Sequence, residues 1–582
     1  MTKSYDKEPT VVIPLYQDEA WSGYEAIAER IRAGIAGRTK AVVVECYPGV
    51  RLDEIKAGLA GPLAAAAVID AEEAALHKEA LDALRARYLT DDRVFGRIAP
   101  FEIEDFYDAG RIESLRSRIR AVPEGVVLVI GFGASIVERG DYVVYADLAR
   151  WEIQLRYRSG ELGNWRADNR DEDVLRKYKR GFFVEWRTAD RLKRRLFEEA
   201  RIDLYLDTNR KDDPKAVTLR ALLAGLRHTA SRPFRLVPYF DPGVWGGQWM
   251  QEKIGLAPQK HPYAWAFDGV PEENSLYFQY GGIRIELPSI NLVFLEPKAL
   301  LGERVYARFG AEFPIRFDFL DTIGGGNLSL QVHPTADYIR RMFNMPYTQD
   351  ESYYILDCEP NSLVYLGLKD GVDPGRMIAD LEKAQEGTAP FPAEEHIHTL
   401  PVKKHDHYSI PAGTVHCSGA GSMVLEISAT PYIFTFKLWD WGRLGLDGKP
   451  RPVHLEHGRR NIAWERTASW VDRNLVNRTE RIGEGDGWVE ERTGLHEFEF
   501  IETRRHWFTA PVEHSTEGSV NMLNLVEGDE AVVESPTGAF EPFTVHYAET
   551  FVIPASVDRY IIRPADGSRS GKLATIKAFV RK

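Results

Sequence analysis

The chain has 582 residues, a formal net charge of −13 at pH 7, and 44% hydrophobic and 28% charged residues. One domain holds roughly 100–200 residues, so this length predicts about three to five domains. The composition is that of a globular protein and excludes disorder as the main state. The acidic balance argues against nucleic acid or an anionic membrane as the main partner, and it leaves a small anionic ligand open.

The N-terminal segment has no apolar run of the kind that forms a signal peptide. The longest apolar stretch, Val126 to Val137, is shorter than the roughly 20 residues of a membrane span. The three cysteines, Cys46, Cys358 and Cys417, include no C-x-x-C pair, so no disulfide framework is expected. These features predict a cytoplasmic protein without a membrane partner, and they give no indication of its oligomeric state.

Residues 1–230 alternate short apolar segments with amphipathic ones, which predicts an α/β domain with a largely parallel sheet. The Arg- and Lys-rich region 150–200 is interpreted as solvated helix faces. The predicted strands are Ala41–Cys46, Ala65–Ile69, Val126–Gly131, Tyr142–Ala146 and Leu204–Asp207. The predicted helices are Ala71–Tyr88, Arg111–Ala121, Thr188–Ala200 and Pro214–Thr229.

From about residue 231 onward, short alternating strands between Gly- and Pro-containing turns predominate, which is typical of β-barrels and sandwiches. Ile283, Ile285 and Leu287 form one such alternation. A helical insertion is expected near residues 372–397. The sequence therefore predicts a multidomain protein with an α/β domain over 1–230 and all-β domains over 231–465 and 466–582.

One group of polar residues in the β-rich part has the composition of a metal site. Ser329, Gln331 and His333 are two residues apart in a predicted strand and therefore project from one face. Glu351 lies in a later predicted strand, and a Pro-x-Gly-x-x-His turn leads into the strand that begins with His416. A single histidine on an apolar strand is usually a core residue, but the order and spacing of these four favour ligands. One amide oxygen, one carboxylate and two imidazoles suit one divalent ion, with zinc expected and positions left open for water or substrate.

These motifs resemble the type I mannose-6-phosphate isomerases, which are zinc-dependent enzymes of the cupin family. QVHP and PAGTVH at this spacing are specific together, whereas either motif alone would be weak. The resemblance covers about residues 233–460, and the tail resembles the second, metal-free barrel of that family. The matching segments are 233–238, 244–247, 314–316, 327–334, the strand of Glu351, 411–416, Glu426 and 435–441.

The resemblance implies a cupin barrel, or double-stranded β-helix, over 231–465 and a degenerate one over 466–582. It implies one divalent metal ion and a small sugar phosphate as the ligand. The implied metal ligands are Gln331, His333, Glu351 and His416. The implied substrate-binding residues are Ser329, Trp245, Gly246 and Gly247, and the implied catalytic residues are Glu426 and Lys437.

Three charged positions depart from the family pattern. Family lysines fall at Asp318 and Gln349, and a family arginine falls at Lys437, which keeps the charge but loses the bidentate fork. The metal set is therefore retained while the phosphate-facing charges differ. The sequence does not identify the sugar.

The implied reaction is the interconversion of mannose 6-phosphate and fructose 6-phosphate through an enediol. The metal would act as a Lewis acid, Glu426 as a general base or a residue that orients one, and Lys437 would stabilise the enediolate charge. One alternative is a metal-binding cupin that binds a sugar phosphate without turning it over, or with altered specificity. The altered lysine positions favour that alternative, and the retained Glu426 opposes it.

A third hypothesis is a bifunctional protein with a kinase-like N-terminal domain. Residues 1–230 weakly resemble a nucleoside-kinase fold, notably at Tyr145–Leu148 and Asp203–Thr208. A phosphate-binding loop of the form G-x-x-x-x-G-K-[ST] is absent, and the Gly131–Ala134 turn supplies no lysine. We therefore expect an inactive α/β domain that serves packing, regulation or oligomerisation.

Overall fold

The computed structural model describes residues 5–35, 40–496 and 499–582, and these fall into two compact units. The first, here called the α/β unit, contains Thr10–Thr229 and Ser275–Glu296. The second, here called the β unit, contains residues 5–9, Ala230–Asn274 and Pro297–Lys582. The protein is thus multidomain, and the finer division at residue 465 stays a prediction.

Residues 275–296 belong to the α/β unit, although the sequence pattern placed them in the 231–465 domain. The reason is a pairing that is remote in sequence. Strand Ser275–Tyr280 pairs in parallel with Thr10–Val12 and antiparallel with Ile283–Pro288, which makes a three-stranded sheet. Helix Ile290–Leu295 follows in the same unit.

A seven-stranded sheet forms the centre of the α/β unit, and five of its strands are parallel, as the sequence predicts. The four inner parallel strands are apolar runs that are almost entirely buried, for example Ala41–Cys46 and Val126–Gly131, whereas the edge strand Ala65–Asp70 is partly exposed. The strands in spatial order are Ala20–Ser22, Lys215–Thr218, Leu204–Asp207, Tyr142–Asp147, Ala41–Cys46, Val126–Gly131 and Ala65–Asp70.

The helices of the α/β unit correct two predictions. The predicted helix Ala71–Tyr88 is a short 3₁₀ turn, Ala71–Ala74, followed by helix Lys78–Leu89, because Ala75 forms a β-bridge with Tyr107. The predicted helix Pro214–Thr229 begins instead with strand Lys215–Thr218. The other helices are Tyr24–Gly34, Leu52–Ala60, Ile103–Phe106 (3₁₀), Ala109–Arg120, Ala134–Val137, Arg150–Arg158, Val174–Arg180, Gly181–Glu185 (π), Trp186–Glu198 and Leu219–Thr229.

The Arg- and Lys-rich region 150–200 is not a set of solvated faces, so that interpretation is wrong. Arg156, Lys177 and Lys193 are buried. Lys193 lies 2.8 Å from an Asp147 carboxylate oxygen, and Lys177 Nζ donates to the Tyr157 carbonyl at 2.6 Å. Each of these buried cations therefore has a partner supplied by the fold.

The turn after strand Val126–Gly131 is filled by a carboxylate of the chain itself. Glu45 accepts hydrogen bonds from the backbone N–H groups of Gly133 at 2.7 Å and Ser135 at 2.8 Å. Burial raises the pKa of Glu45 to about 7, against the lowering effect of these donors. Amides at such a turn can bind a phosphate, but here they bind Glu45.

The β unit contains two pairs of antiparallel sheets. The first sheet pair joins a six-stranded and a five-stranded sheet. The six strands in spatial order are His407–Ile410, Glu351–Cys358, Ser422–Ala429, Ile315–Asp321, Tyr263–Gly269 and Tyr239–Gly247. The five strands are Ile397–Pro401, Leu363–Leu368, His416–Ser418, Leu330–Val332 and Phe436–Trp439.

The second sheet pair joins a six-stranded and a four-stranded sheet. The six strands in spatial order are Glu480–Gly485, Trp488–Thr493, Ile501–Phe508, Leu573–Val580, Asn521–Glu527 and Thr550–Ile553. The four strands are Val512–Ser515, Arg559–Pro564, Glu530–Glu534 and Phe543–His546.

Helices in the β unit lie in the connections between strands. Helix Pro374–Gln385 is the predicted insertion. In the described ranges, no helix is both long enough and apolar enough to cross a bilayer. The remaining helices are Met250–Ile254 (π), Pro297–Leu301, Glu303–Phe309, Ala336–Phe343, Ala393–His396, Leu455–Gly458, Ala468–Asn474 and Ala555–Val557 (3₁₀).

Candidate metal centre

Both sheets of the first sheet pair contribute to one buried polar cluster between them. In the five-stranded sheet, Gln331 is the cross-strand neighbour of His416, so both side chains share a face. His333 follows Gln331 by two residues. Glu351 is the first residue of a strand in the six-stranded sheet.

Glu351 bridges the two histidines. Its Oε1 lies 2.8 Å from His416 Nε2, and its Oε2 lies 3.1 Å from His333 Nε2. All three side chains are buried, and one ligand atom from each lies within 4.8 Å of the others. Gln331 Nε2 lies 3.2 Å from His416 Nε2, so the four residues of the predicted ligand set lie together.

The other ring nitrogen of each histidine fixes the orientation of its imidazole. His416 Nδ1 lies 2.8 Å from the Thr414 carbonyl, and His333 Nδ1 lies 3.3 Å from the Phe434 carbonyl. A carbonyl only accepts, so each Nδ1 carries a proton and each ring turns its Nε2 toward Glu351. Two lone pairs and a carboxylate that face one another repel unless a proton or a cation lies between them.

Unpartnered atoms in the cluster match a bound cation. Within the described residues, neither His333 Nε2 nor Glu351 Oε1 has a hydrogen bond of suitable geometry. Burial alone would raise the pKa of Glu351, but the two imidazoles hold it below its ordinary value. The donor set of two imidazoles, a carboxylate and an amide therefore suits a divalent ion.

A polar floor extends from this cluster along the inner face of the six-stranded sheet. Asp318, Glu426 and Tyr353 are successive cross-strand neighbours in one row. Arg316 and Glu351 lie in the adjacent row, each opposite the same residue of the central strand. Five polar or ionisable side chains therefore share one face of a buried sheet.

Arg316 provides the positive charge of this floor. Its guanidinium lies 3.3 Å from Asp318 and 3.6 Å from Glu426, and its centre lies 4.4 Å from the Tyr432 ring. Burial raises the pKa of Asp318 to about 6, against the lowering effect of Arg316. Arg316 therefore offsets the negative charge of Asp318, which stands where the resembled family has a lysine.

Gln349 joins the metal cluster to the floor. Its Nε2 donates to Glu351 Oε2 at 2.9 Å and to Glu426 Oε1 at 3.2 Å. From the sequence, Gln349 is evident only as a position where the resembled family has a lysine. Its position two residues before Glu351, on the same face, was the signal that could have indicated this role.

The floor contains several polar atoms without partners. Among the described residues, no hydrogen bond is made by Arg316 Nε, Asp318 Oδ1, Gln349 Oε1 or the Tyr353 hydroxyl. Buried polar atoms in folded proteins are nearly always paired. Their concentration on one face beside the metal cluster indicates a place for a ligand with several hydroxyl groups or for ordered water.

Two further predicted site residues lie on this side of the sheet pair. Ser329 is buried, and its hydroxyl donates to Gln331 Oε1 at 3.2 Å. Lys437 is the cross-strand neighbour of Gln331 and is half-buried. Cross-strand neighbours share a face, so Lys437 lies on the face that carries Gln331 rather than on the outer face.

The structure does not bring Trp245, Gly246 and Gly247 into the hydrogen-bond network of the cluster. They end the edge strand Tyr239–Gly247, and Trp245 packs edge-to-face on Trp265 at 4.6 Å. A Cβ at Gly246 would lie 2.5 Å from the Tyr263 carbonyl, so a close backbone approach requires glycine there. Their role in substrate binding stays a prediction.

Comparisons with known proteins cover different parts of the chain. Residues 23–231 match a family described as a domain of unknown function (DUF8485). That match brings no activity with it, so the weak resemblance to nucleoside kinases stays a prediction.

Curated relatives are mannose-6-phosphate isomerases. The chain is 25% identical over 229 residues to mannose-6-phosphate isomerase ManA of Bacillus subtilis, which is 39% of this chain and 66% of that protein. It is 23% identical over 229 residues to the mannose-6-phosphate isomerase of Streptococcus mutans, again 39% of this chain and 66% of the relative. The matches therefore span just under two thirds of these relatives.

A solved structure gives a further alignment. The crystal structure of the mannose 6-phosphate isomerase from Bacillus subtilis aligns with 60% of this chain and 99% of its own, at 18% identity and a TM-score of 0.47. Over about two fifths of its sequence, the chain resembles mannose-6-phosphate isomerases, as the motifs predicted.

Proposed function

We propose that the chain is a metal-dependent aldose–ketose isomerase that interconverts mannose 6-phosphate and fructose 6-phosphate through an enediol. The observation that carries the proposal is the buried cluster of Gln331, His333, Glu351 and His416 beside a floor of unpartnered polar atoms. The curated relatives, which are named for this activity, support the same reaction class.

Gln331, His333, Glu351 and His416 would hold the metal ion, and zinc suits this mixture of nitrogen and oxygen ligands. When bound, such an ion supplies Lewis acidity that polarises a carbonyl or orients hydroxyl oxygens. The Thr414 and Phe434 carbonyls keep both imidazoles turned toward the ion position.

Glu426 is the proposed base that carries a proton between C1 and C2. Burial, Asp318 and Glu351 raise the pKa of Glu426, and Arg316 at 3.6 Å opposes them. The Gln349 amide donates to Glu426 Oε1 and so orients the carboxylate. A carboxylate with a raised pKa is a stronger base, which suits it to take a proton from carbon.

Lys437 is the proposed electrostatic partner of the negative charge that develops on the substrate oxygens. It lies on the Gln331 face, beside the predicted ligand set. A preorganised cation at such a position stabilises an enediolate more than it stabilises either sugar. Ser329 would contact a substrate hydroxyl, and Trp245, Gly246 and Gly247 would close one wall of the pocket.

A coupled assay that follows fructose 6-phosphate formation tests the proposal. The metal-loaded chain should turn over mannose 6-phosphate, lose activity with a chelator, and regain it with added Zn²⁺. Glu426→Gln should lower kcat/KM by about 10²–10⁴ while metal content stays unchanged. Asp318 stands where the resembled family has a lysine, so the assay should include a panel of hexose phosphates. Failure of the metal-loaded chain to isomerise any of them, with binding retained, would instead support a non-catalytic sugar-phosphate cupin.

A further inference from the structure

One arginine in the α/β unit is buried without partners. Arg85 lies on helix Lys78–Leu89, and its exposed fraction is 0%. Among the described residues, no hydrogen bond reaches its Nε, Nη1 or Nη2. A guanidinium carries five N–H donors and keeps its charge, so its complete burial without acceptors is highly unfavourable.

Aromatic rings contact the guanidinium but leave its donors unused. Its central carbon lies 4.8 Å from the Phe106 ring and 5.3 Å from the Trp165 ring. A ring face attracts the positive charge but offers no acceptor in the plane of the guanidinium. The N–H groups at its edge therefore remain available to an acceptor that the fold does not supply.

Charged side chains of both signs surround Arg85. Its charged neighbours are Arg166 and Arg180, together with Glu185 and Asp82. Arg180 lies 3.4 Å from Asp82, and Glu72 lies near Arg166, so these cations are offset. Glu185 Oε1 is also buried without a hydrogen bond among the described residues, so this carboxylate does not occupy the Arg85 N–H groups.

Two features of the surroundings are typical of ligand sites. Trp165 packs edge-to-face at 5.2 Å on Phe132, which directly follows strand Val126–Gly131 at the carboxyl end of the parallel sheet. Ligands of open α/β sheets bind at that end. Glu185 ends the π-helical turn Gly181–Glu185, and π-turns are frequent at functional sites.

We propose that the α/β unit binds a small oxyanion, a phosphate ester or a carboxylate, through the guanidinium of Arg85. Such a group accepts two parallel N–H bonds in the guanidinium plane, and so supplies the acceptors that the guanidinium lacks. Because Arg85 is fully covered, the ligand enters when the segment carrying Trp165 moves. Arg166 and Asp168 in that segment have positive φ values of 49° and 50°.

The test measures binding of inorganic phosphate, and separately of acetate, to the full chain by calorimetry at constant ionic strength. Wild type should bind at least one of these anions. Arg85→Met keeps the bulk of the side chain but removes its donors, and it should weaken that binding at least tenfold. Arg87→Met is the matched control, because Arg87 is exposed on the same helix, and it should bind as wild type does.

The candidate metal centre could also bind the added anion. The double variant His333→Ala/His416→Ala, which removes that centre, is therefore included. Anion binding that persists in this variant and is lost in Arg85→Met supports the proposal independently of the isomerase function. If Arg85→Met does not fold, Arg85→Lys replaces it and should bind more weakly than wild type, since it lacks the planar fork. Equal binding in wild type and the Arg85 variant, or no binding of either anion to wild type, overturns the proposal.

Discussion

The two sheet pairs of the β unit have similar frameworks and opposite interiors. Each joins a six-stranded antiparallel sheet to a smaller one. Between the first pair lie the Gln331–His416 cluster and the Arg316–Glu426 floor. Between the second pair lies an apolar core of Phe508, Val512, Leu523, Leu525, Ala531, Val533, Val545, Phe551, Ile553, Tyr560, Ile562 and Leu573.

The buried histidines of the two sheet pairs show how the two interiors differ. His506 and His514 lie between the second pair with ring centroids 4.5 Å apart, and they pack on Phe508 and Tyr560. Burial lowers the pKa of His506 to about 3, so it stays neutral. Among the described residues, no carboxylate bridges these two histidines in the way that Glu351 bridges His333 and His416. The second interior is mainly apolar, although ring nitrogens of His506 and His514 lack partners there, whereas the first interior gathers imidazoles, carboxylates and an amide at one place.

The largest expected effect is on metal content. His333→Ala and His416→Ala should each remove the ion and abolish turnover, because the loss of one of four ligands opens the site. His514→Ala is the matched control from the second pair and should leave metal content unchanged. Elemental analysis of the purified variants measures this. Full metal occupancy in both cluster variants would show that the ligand assignment is wrong.

The lysines of the two sheet pairs give the next comparison. Lys437→Met should lower kcat/KM by about 10²–10³, the usual loss when a charge partner of the transition state is removed. Metal content should not change. Lys437→Arg should retain turnover. Lys577, buried in the second pair at 5% exposure, is the control, and Lys577→Met should leave kcat/KM as in wild type. A wild-type rate for Lys437→Met would identify Lys437 as a structural or surface residue.

The apolar interior should account for stability rather than chemistry. Leu523→Ala should lower the free energy of unfolding by about 2–5 kcal/mol, because it leaves a cavity in the second core. Ile482→Ala, at an exposed position of the same sheet pair, should change it by less than about 0.5 kcal/mol. Urea unfolding gives both values. Equal effects of the two changes would contradict the description of this interior as a closed apolar core.

The smallest expected effect separates a paired hydroxyl from an unpaired one. The Tyr560 hydroxyl donates to Asn521 at 2.9 Å, so Tyr560→Phe should cost about 1 kcal/mol of stability. The Tyr353 hydroxyl has no hydrogen bond within the described chain, so Tyr353→Phe should not destabilise the protein. We expect Tyr353→Phe to lower kcat/KM, since the Tyr353 ring packs edge-to-face on the proposed ligand His416 at 5.8 Å. Destabilisation by Tyr353→Phe of the size seen for Tyr560→Phe would contradict this.

Local patterns were sufficient to predict which residues form the cluster. The two-residue period of a strand placed Ser329, Gln331 and His333 on one face, and the structure agrees. The period could equally have linked Arg316 to Asp318, which form an ion pair. It could not indicate that Arg316 also lies near Glu426, because that contact depends on which strands are neighbours.

The predictions that failed depended on information that is not local. The local sequence of Lys215–Thr218 has only a weak strand propensity and therefore predicts a helix. The segment forms a strand because it pairs with Leu204–Asp207 in the folded sheet. The charge of the lysines in region 150–200 predicts exposed positions. Their burial depends on backbone and carboxylate groups that only the folded chain brings near them.

The pairing of Thr10–Val12 with Ser275–Tyr280 has a consequence for biosynthesis. A ribosome adds about 5–20 residues per second, so this early strand waits on the order of tens of seconds for its partner. Asp6 waits longer, because its backbone N–H donates to Glu549. An unpaired strand edge is a template for aggregation. We therefore expect nascent chains that do not yet include residues 275–288 to depend on chaperones, and this dependence to weaken once the Ser275–Pro288 hairpin has emerged.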